Sequence, residues 1–283
     1  MNKIIACIDG SILAKTVCDT AIWASKRLSH GIVFLHAIDK KQQHGADDLT
    51  GSIGLGARTA LLNKMVELDE QRGKIAIQSG NEMLGKAVDR ANTAGLTDLE
   101  QIQRHGDFVE ALVGLETDAR LMVVGRCGNG HQGDFKALGS HIETLIRQVH
   151  TPIVIAPYNF TEPTNFMLAY DGRETADKAV QRIIQGGLLQ GMTCHLVTIK
   201  NTEQAQQQKF EQVKTQLEQA GFSVIATYLA GDISASLMDY KQQHDIELVV
   251  IGAFAHSKMR SFFLGSNTMR MIENCRVPLI VLR

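Results

Sequence analysis

The sequence predicts an α/β protein of two tandem doubly wound five-stranded parallel sheets, each with strand order 3-2-1-4-5 and helices on both faces. The chain has 283 residues, and at roughly 150 residues per domain this length suggests two domains. Short segments recur in the same order in both halves, which is the signature of an internal repeat. Within each half, short apolar runs alternate with longer segments of helical period, the pattern of a parallel sheet covered by helices.

The repeat is carried by four pairs of segments. They are Lys3–Ser11 with Phe166–Arg173, Leu121–Gly125 with Leu248–Gly252, Leu138–Ser140 with Leu264–Ser266, and Thr151–Ala156 with Val277–Leu282. Two prolines and polar residues between the halves indicate a short linker. We therefore expect domains at residues 1–157 and 164–283, the second being the more compact.

The second half shows the predicted elements most clearly. The strands are expected at Phe166–Asp171, Thr193–Ile199, Ser223–Leu229, Leu248–Gly252 and Leu279–Leu282, with helices at Ala176–Leu188, Glu203–Gln219, Ile233–Gln243 and Thr268–Cys275. Alternation of this kind implies right-handed crossovers between parallel strands. Asp107 and Asp232 stand where the third helix of each half begins, so we expect them to be N-caps.

The first half carries an insertion of roughly 35 residues after its second strand, within residues 42–96. It opens with a Gly- and Asp-rich stretch and continues as a long amphipathic segment. A longer second helix with a surface loop is the simpler interpretation. A regulatory lid or a partner-binding arm is the alternative.

Charge and cysteine content limit the function classes. The formal net charge is −1, so no overall basic field favours nucleic acid or an anionic membrane as a partner. The sequence contains no run of about 18 apolar residues, so no membrane span is predicted. The five cysteines are scattered without a CxxC pair, which favours reduced thiols and a cytoplasmic location.

Two features of each half converge on one edge of the predicted sheet. The first strand ends in an aspartate, Asp9 or Asp171, and the fourth strand ends in a glycine, Gly125 or Gly252. A loop then leads to Gly-Ser at a helix start. Glycine backbone N–H groups and a helix N-terminus suit phosphate oxygens, and Ser140 or Ser266 can add a hydroxyl donor. The alternative is that each serine is a plain N-cap beside a glycine turn.

Several specific motifs are absent. The sequence has neither GxGxxG after the first strand nor GxxxxGK[ST], which excludes a dinucleotide fingerprint and a Walker-type loop. HExxH and paired-cysteine zinc spacings are also missing. No catalytic residue and no metal ligand can therefore be assigned.

The loop after the fourth strand resembles that of the universal stress proteins, in their tandem two-domain form. That family's pattern is Gly, two residues, Gly, nine residues, Gly and then Ser or Thr. The second half keeps the nine-residue spacing from Ala255 to Gly265-Ser266 but has Ala255 for the second glycine. The first half keeps both Gly125 and Gly128 but places ten residues before Gly139-Ser140.

The resemblance implies a nucleotide site. It implies that the chain binds ATP or a related adenine nucleotide, which Mg²⁺ can accompany, and acts in stress response or signalling. The implied contacts in the second half are Asp171, Val197, Gly252, Ala255, Gly265, Ser266 and Asn267. The corresponding contacts in the first half are Asp9, Ala37, Gly125, Gly128, Gly139 and Ser140.

The second half is the favoured binding half. An inserted residue in the first loop displaces several donors together, whereas a methyl group at Ala255 costs about 1 kcal/mol if the backbone conformation tolerates it. The second loop also carries His256, Lys258 and Arg260, which are either phosphate partners or solvated loop charges.

Three classes of function remain open: a nucleotide-binding signalling protein, a slow ATP hydrolase and a nucleotide-free interaction scaffold. The expected partners are an adenine nucleotide and an unidentified protein, with neither nucleic acid nor membrane. The two fifth strands could also pair within the chain to form an intramolecular pseudo-dimer, and a homodimer is a further option.

Overall fold

The computed structural model describes residues 2–38, 55–126, 140–199, 204–252 and 266–283. The first half contains five strands: β1 (Lys3–Cys7), β2 (Ile32–Ile38), β3 (Leu99–His105), β4 (Ala119–Gly125) and β5 (Ile153–Ala156). Its helices are α1 (Ala14–Leu28), α2 (Leu55–Thr93), α3 (Phe108–Val113) and α4 (Ser140–Gln148). A short 3-10 turn at Glu116–Asp118 precedes β4.

The second half repeats this order. Its strands are β6 (Asn165–Ala169), β7 (Thr193–Ile199), β8 (Ser223–Leu229), β9 (Val249–Gly252) and β10 (Leu279–Leu282). Its helices are α5 (Glu174–Gly186), α6 (Gln204–Gln219), α7 (Ile233–Gln243) and α8 (Ser266–Asn274). The predicted elements of this half are confirmed to within two residues at most ends.

The two halves share one ten-stranded sheet, in the order β3-β2-β1-β4-β5-β10-β9-β6-β7-β8. Each half keeps the predicted order 3-2-1-4-5, with parallel pairing inside the half. The two five-stranded sheets join edge to edge, because β5 and β10 pair in antiparallel register, with Ile280 opposite Val154. This is the pairing of the two fifth strands that the sequence offered as an option. Each fifth strand therefore satisfies the backbone groups that the other would leave unpaired at an edge.

Both faces of the sheet are covered, as the apolar strands predicted. Alternate residues of β1 belong to different clusters: Ile4 and Ala6 to the one that includes residues of α1, α2, α5 and α6, and Ile5 to the one that includes residues of α3, α4, α7 and α8. The period of two along a strand directs successive side chains to opposite faces. Two apolar clusters therefore sandwich one continuous sheet.

The predicted long helix in the insertion is present as the 39-residue α2. Its C-terminal part packs on the first cluster through Leu84, Ala87 and Ala91. Residues 42–54 of the insertion lie outside the described residues.

The predicted N-caps are confirmed. Asp107 accepts hydrogen bonds from Val109 N at 2.8 Å and Glu110 N at 3.0 Å. Asp232 accepts one from Ala235 N at 3.0 Å. Both carboxylates satisfy donors that the first helical turn leaves without a partner.

Candidate functional site

The candidate site of the first half lies where the strand order reverses, at the carboxyl ends of β1 and β4. Ala6 pairs with Val123 in parallel register. Counting forward from this pair, Gly125 ends β4 level with Ile8, and Asp9 follows one residue beyond. The structure therefore brings Asp9 and Gly125 to one crevice, the usual ligand position in such sheets.

The carboxylate of Asp9 is engaged in a local turn. Its Oδ1 accepts hydrogen bonds from Ser11 N at 3.1 Å and from Ser11 Oγ at 2.5 Å. Ser11 Oγ in turn accepts one from Leu13 N at 3.2 Å. Asp9 thus shapes the entry into α1, which is a structural role at the position expected to contact a nucleoside.

Gly125 packs closely against the beginning of α1. A Cβ atom at this position would lie 3.3 Å from the side chain of Leu13 and 3.6 Å from Val17. Contacts of 3.3 Å are tighter than most real Cβ contacts. The glycine therefore has a packing explanation that does not involve phosphate.

Arg126, which follows Gly125 directly, reaches into the other half. Its guanidinium donates to the backbone carbonyls of Ile272, Glu273 and Cys275 at the C-terminal end of α8. The side chain is 1% exposed. A cation here meets the negative end of the helix dipole, so the beginning of the first glycine loop is tied to the second half.

The candidate site of the second half has the same geometry. Leu168 pairs with Val250, so Gly252 ends β9 level with Tyr170, and Asp171 lies one residue beyond. Asp171 accepts a hydrogen bond from Arg173 N at 3.1 Å, and its Oδ2 lies 3.6 Å from Arg173 Nε. The Asp171 side chain is 56% exposed, which leaves it more accessible to a ligand than an aspartate held by a serine.

Two basic side chains near Asp171 were not predicted from the sequence. Arg173 forms the ion pair just described, and Lys209 of α6 donates to Gly172 O at 3.2 Å. Lys209 Nζ also lies 3.9 Å from Asp177. Lys209 comes from a glutamine-rich helix with no motif of its own, so only the packing of α6 over the strand end reveals its position.

Tyr170 forms the buried wall beneath this cluster. Its hydroxyl donates to Asp177 Oδ1 at 2.5 Å. Burial and then this carboxylate raise the pKa of the Tyr170 phenol. Tyr170 is therefore a neutral donor at physiological pH.

The positions predicted on the second strands are not equivalent. Leu35 pairs with Cys7 and Val197 pairs with Ala169, so Val197 corresponds to Leu35. Ala37 lies two residues further along β2, level with Asp9. Val197 is 0% exposed, and the residue of β7 that lies level with Asp171 is Ile199.

The glycine loops themselves are largely outside the described residues. Gly128, Gly139, Ala255 and Gly265 are all in this group, as are His256, Lys258 and Arg260. The flanking helices are described: α4 begins at Ser140, and Ser266 and Asn267 are the first two residues of α8. Each loop therefore ends at a helix N-terminus, as the sequence predicted.

Buried thiols on the strands of both halves lack acidity; Cys7 lies on β1 and Cys194 on β7. Burial, followed by the charge of Asp9, raises the pKa of Cys7. Burial also raises the pKa of Cys194 to about 12. A thiol with a raised pKa is a poor nucleophile.

The described residues contain neither a candidate metal cluster nor a candidate membrane span. No group of three or more His, Cys, Asp or Glu residues there could hold a metal ion. None of the helices in those ranges is both long and apolar enough to cross a lipid bilayer.

Comparison with known proteins identifies the family. The sequence profile of the Universal stress protein family matches residues 1–157 and 163–283. Over 287 residues the chain is 28% identical to the universal stress protein Slr1230 of Synechocystis, covering 100% of both chains. The chain belongs to the universal stress protein family, in its tandem form.

Solved structures support the same fold. A universal stress protein from Archaeoglobus fulgidus superposes with a TM-score of 0.71 at 17% identity, covering 100% of this chain and 98% of the other. A universal stress protein described as putative, from Pseudomonas aeruginosa, gives 0.63 at 12% identity, covering 100% and 93%. Agreement over the whole length shows that the tandem fold is shared.

Proposed function

We propose that this protein binds ATP or a related adenine nucleotide, mainly in its second half, and acts in stress response or signalling rather than metabolism. The observation that carries the proposal is that Asp171 and Gly252 lie together at the strand-order reversal, at the carboxyl ends of β6 and β9. The loop that follows Gly252 ends at Ser266, the first residue of α8. Exposed carboxylate, glycine backbone and helix N-terminus together offer partners for both ends of a nucleotide.

The roles divide between the two ends of the ligand. Asp171 faces the nucleoside, and Ile199 replaces Val197 as the β7 contact because Val197 is fully buried. The backbone N–H groups of Gly252, Gly265, Ser266 and Asn267, with the Ser266 hydroxyl, serve the phosphates. Mg²⁺ accompanies the nucleotide through its phosphate oxygens.

The second half is preferred because the corresponding residues of the first half are engaged in structural contacts. Asp9 is held by Ser11, Gly125 packs against Leu13, and Arg126 is anchored on α8. In the second half, Asp171 stays exposed, with Arg173 and Lys209 nearby. Cations close to an open crevice favour an anionic ligand there.

Calorimetric titration with Mg-ATP tests this proposal through a matched pair of variants. Gly265→Val should block close approach of phosphate to the backbone and abolish binding. Gly139→Val, the same change in the first half, should leave the affinity within about twofold. Loss of binding only in Gly139→Val would assign the site to the first half.

Acid extraction of the purified protein separates the classes of function. Adenine nucleotide in the extract supports the proposed role, and turnover of added ATP would identify a slow hydrolase instead. No binding by the unmodified protein would favour a nucleotide-free scaffold.

We propose domains at residues 1–157 and 164–283 that act as an intramolecular pseudo-dimer, which the β5–β10 pairing supports. The net charge of −1 supports the absence of a nucleic-acid ligand. Four buried, unpaired cysteines support a reducing, cytoplasmic setting.

A further inference from the structure

A cavity of about 370 Å³ lies between the two halves, away from both crevices. It is bounded by the C-terminal end of α1, the beginning of β4, the C-terminal part of α5 and the strands β9 and β10. Its floor is apolar and includes Leu28, Leu121, Ile183, Leu189, Val250 and Ile280. The volume is at the small end of the range for ligand sites in proteins.

The rim of this seam cavity is basic. Arg120 donates from Nη2 to Gly186 O at 3.0 Å, and Arg182 donates from Nη1 to His150 O at 2.9 Å. A guanidinium has five N–H donors, so each arginine keeps donors for a further acceptor. The backbone carbonyls fix both side chains beside the opening.

No Asp or Glu is among the described residues that line the cavity. Glu116, beside the lining residues His150 and Thr151, accepts hydrogen bonds from the backbone N–H groups of both and lies 3.9 Å from His150 Nδ1. Its charge is directed to these donors. An anionic group would therefore find two guanidinium groups at the rim.

The internal repeat shows which side chain occupies the position equivalent to the cavity in the other half. When the halves are aligned through their first strands, Gln185 of α5 takes the place of Trp23 of α1. Trp23 is 3% exposed and packs against Phe160 of the linker, with 5.9 Å between ring centroids. In the second half the equivalent position carries an exposed amide, and Gln185 lines an open cavity.

We propose that the seam cavity binds a small amphipathic carboxylate. Its apolar body lies on the floor that includes Leu121 and Ile183, and its carboxylate lies at Arg120 and Arg182. Apolar floor and basic rim match the two ends of such a molecule. This site is separate from the nucleotide crevices. It does not depend on nucleotide binding.

The test is calorimetric titration of the full chain with octanoate, and with 1-octanol as the uncharged probe of the same length. Octanoate should bind with one-to-one stoichiometry and at least tenfold more tightly than octanol. Arg120→Gln and Arg182→Gln should each weaken octanoate binding about tenfold, and Arg182→Lys should retain part of it. Arg72→Gln, on the exposed surface of α2, should change nothing.

A second variant tests the location. Gln185→Trp restores the bulk present at Trp23 and should block octanoate, while the Gly265→Val variant should bind it normally. Equal affinity for octanol, no binding of octanoate, or binding unaffected by Arg120→Gln, Arg182→Gln and Gln185→Trp would each overturn the proposal. The thermal midpoint of every variant shows whether it is folded.

Discussion

At the scale of single residues, the fold uses polar side chains that its apolar pattern does not reveal. His195 of β7 is buried, and its Nδ1 lies 3.0 Å from the hydroxyl of Tyr240 on α7. Thr227 of β8 lies 3.2 Å from the same hydroxyl. This network connects two strands to the helix that covers them.

The network should make stability depend on pH. Burial, and then the neighbouring His244, lower the pKa of His195 below its ordinary value of 6.5. As the pH falls below 6.5, the unfolded chain takes up a proton at this histidine before the folded chain does. The free energy of unfolding should therefore decrease as the pH falls from 6.5. Urea midpoints at pH 7.5 and pH 5 should differ less in His195→Gln than in the unmodified protein. The same change at His105, an exposed histidine, should leave that difference as it is.

The buried thiols give a second prediction at this scale. In a Cys127→Ser background, Cys7, Cys18, Cys194 and Cys275 should react with Ellman's reagent only as the protein opens. Burial raises their pKa values, to about 12 for Cys18 and Cys194, so little thiolate is present at pH 8. Four thiols should react within seconds in urea. Rapid reaction in native buffer would contradict their burial.

At the scale of secondary-structure elements, α2 contains a glycine that its packing requires and one that it does not. A Cβ at Gly80 would fall 2.6 Å from Cδ2 of His36, whose ring is held by a 2.8 Å contact with Ile8 O. Nothing lies within 4 Å of a Cβ built at Gly73. Gly73→Ala should therefore stabilise the protein by about 0.5–1 kcal/mol, and Gly80→Ala should destabilise it. Urea unfolding of both variants measures whether each change raises or lowers the free energy of unfolding.

The helix N-caps provide a graded prediction. Asp107→Ala should cost about 1 kcal/mol, and more than Asp232→Ala, because Asp107 accepts two backbone hydrogen bonds and Asp232 accepts one. Asn caps helices about as well as Asp, so Asp107→Asn should retain most of the stability. Equal unfolding midpoints for Asp107→Ala and the unmodified protein would exclude a stabilising cap.

Elements were more predictable than contacts. The apolar runs placed β7 and β10 at their observed bounds because a buried strand needs apolar residues on both faces. The pairing of Val197 with Ala37 as equivalents was wrong by two residues: alignment of the halves through their first strands places Leu35 opposite Val197, and the strand pairing agrees. Arg126 and Lys209 were also missed, because their partners are backbone carbonyls distant in sequence that carry no side-chain signal.

At the scale of the whole molecule, arginines of each half donate to backbone carbonyls of the other half. Arg126 of the first half caps α8, and Arg283 of the second half donates to the carbonyls of Ile146, Arg147 and Val149 at the end of α4. Arg27 of α1 also donates to Leu188 O at 3.1 Å. The seam is therefore polar as well as apolar.

Removing Arg126 should weaken this seam. Arg126→Met leaves buried carbonyls at the end of α8 without a charged donor, at a cost of about 1.5–3 kcal/mol. Calorimetry should show a lower first transition and a separation of the two halves into distinct transitions. Arg147→Met, at a partly exposed site on α4, serves as the comparison. A single transition at the original temperature for Arg126→Met would show that the guanidinium adds nothing to the coupling.

The antiparallel junction of β5 with β10 also fixes directions in space. Strands of the first half run opposite to those of the second, so the two crevices open at opposite margins of the shared sheet. A flat partner cannot cover both openings together. A partner that covers one crevice therefore leaves the other accessible, so the two crevices can be occupied independently of each other.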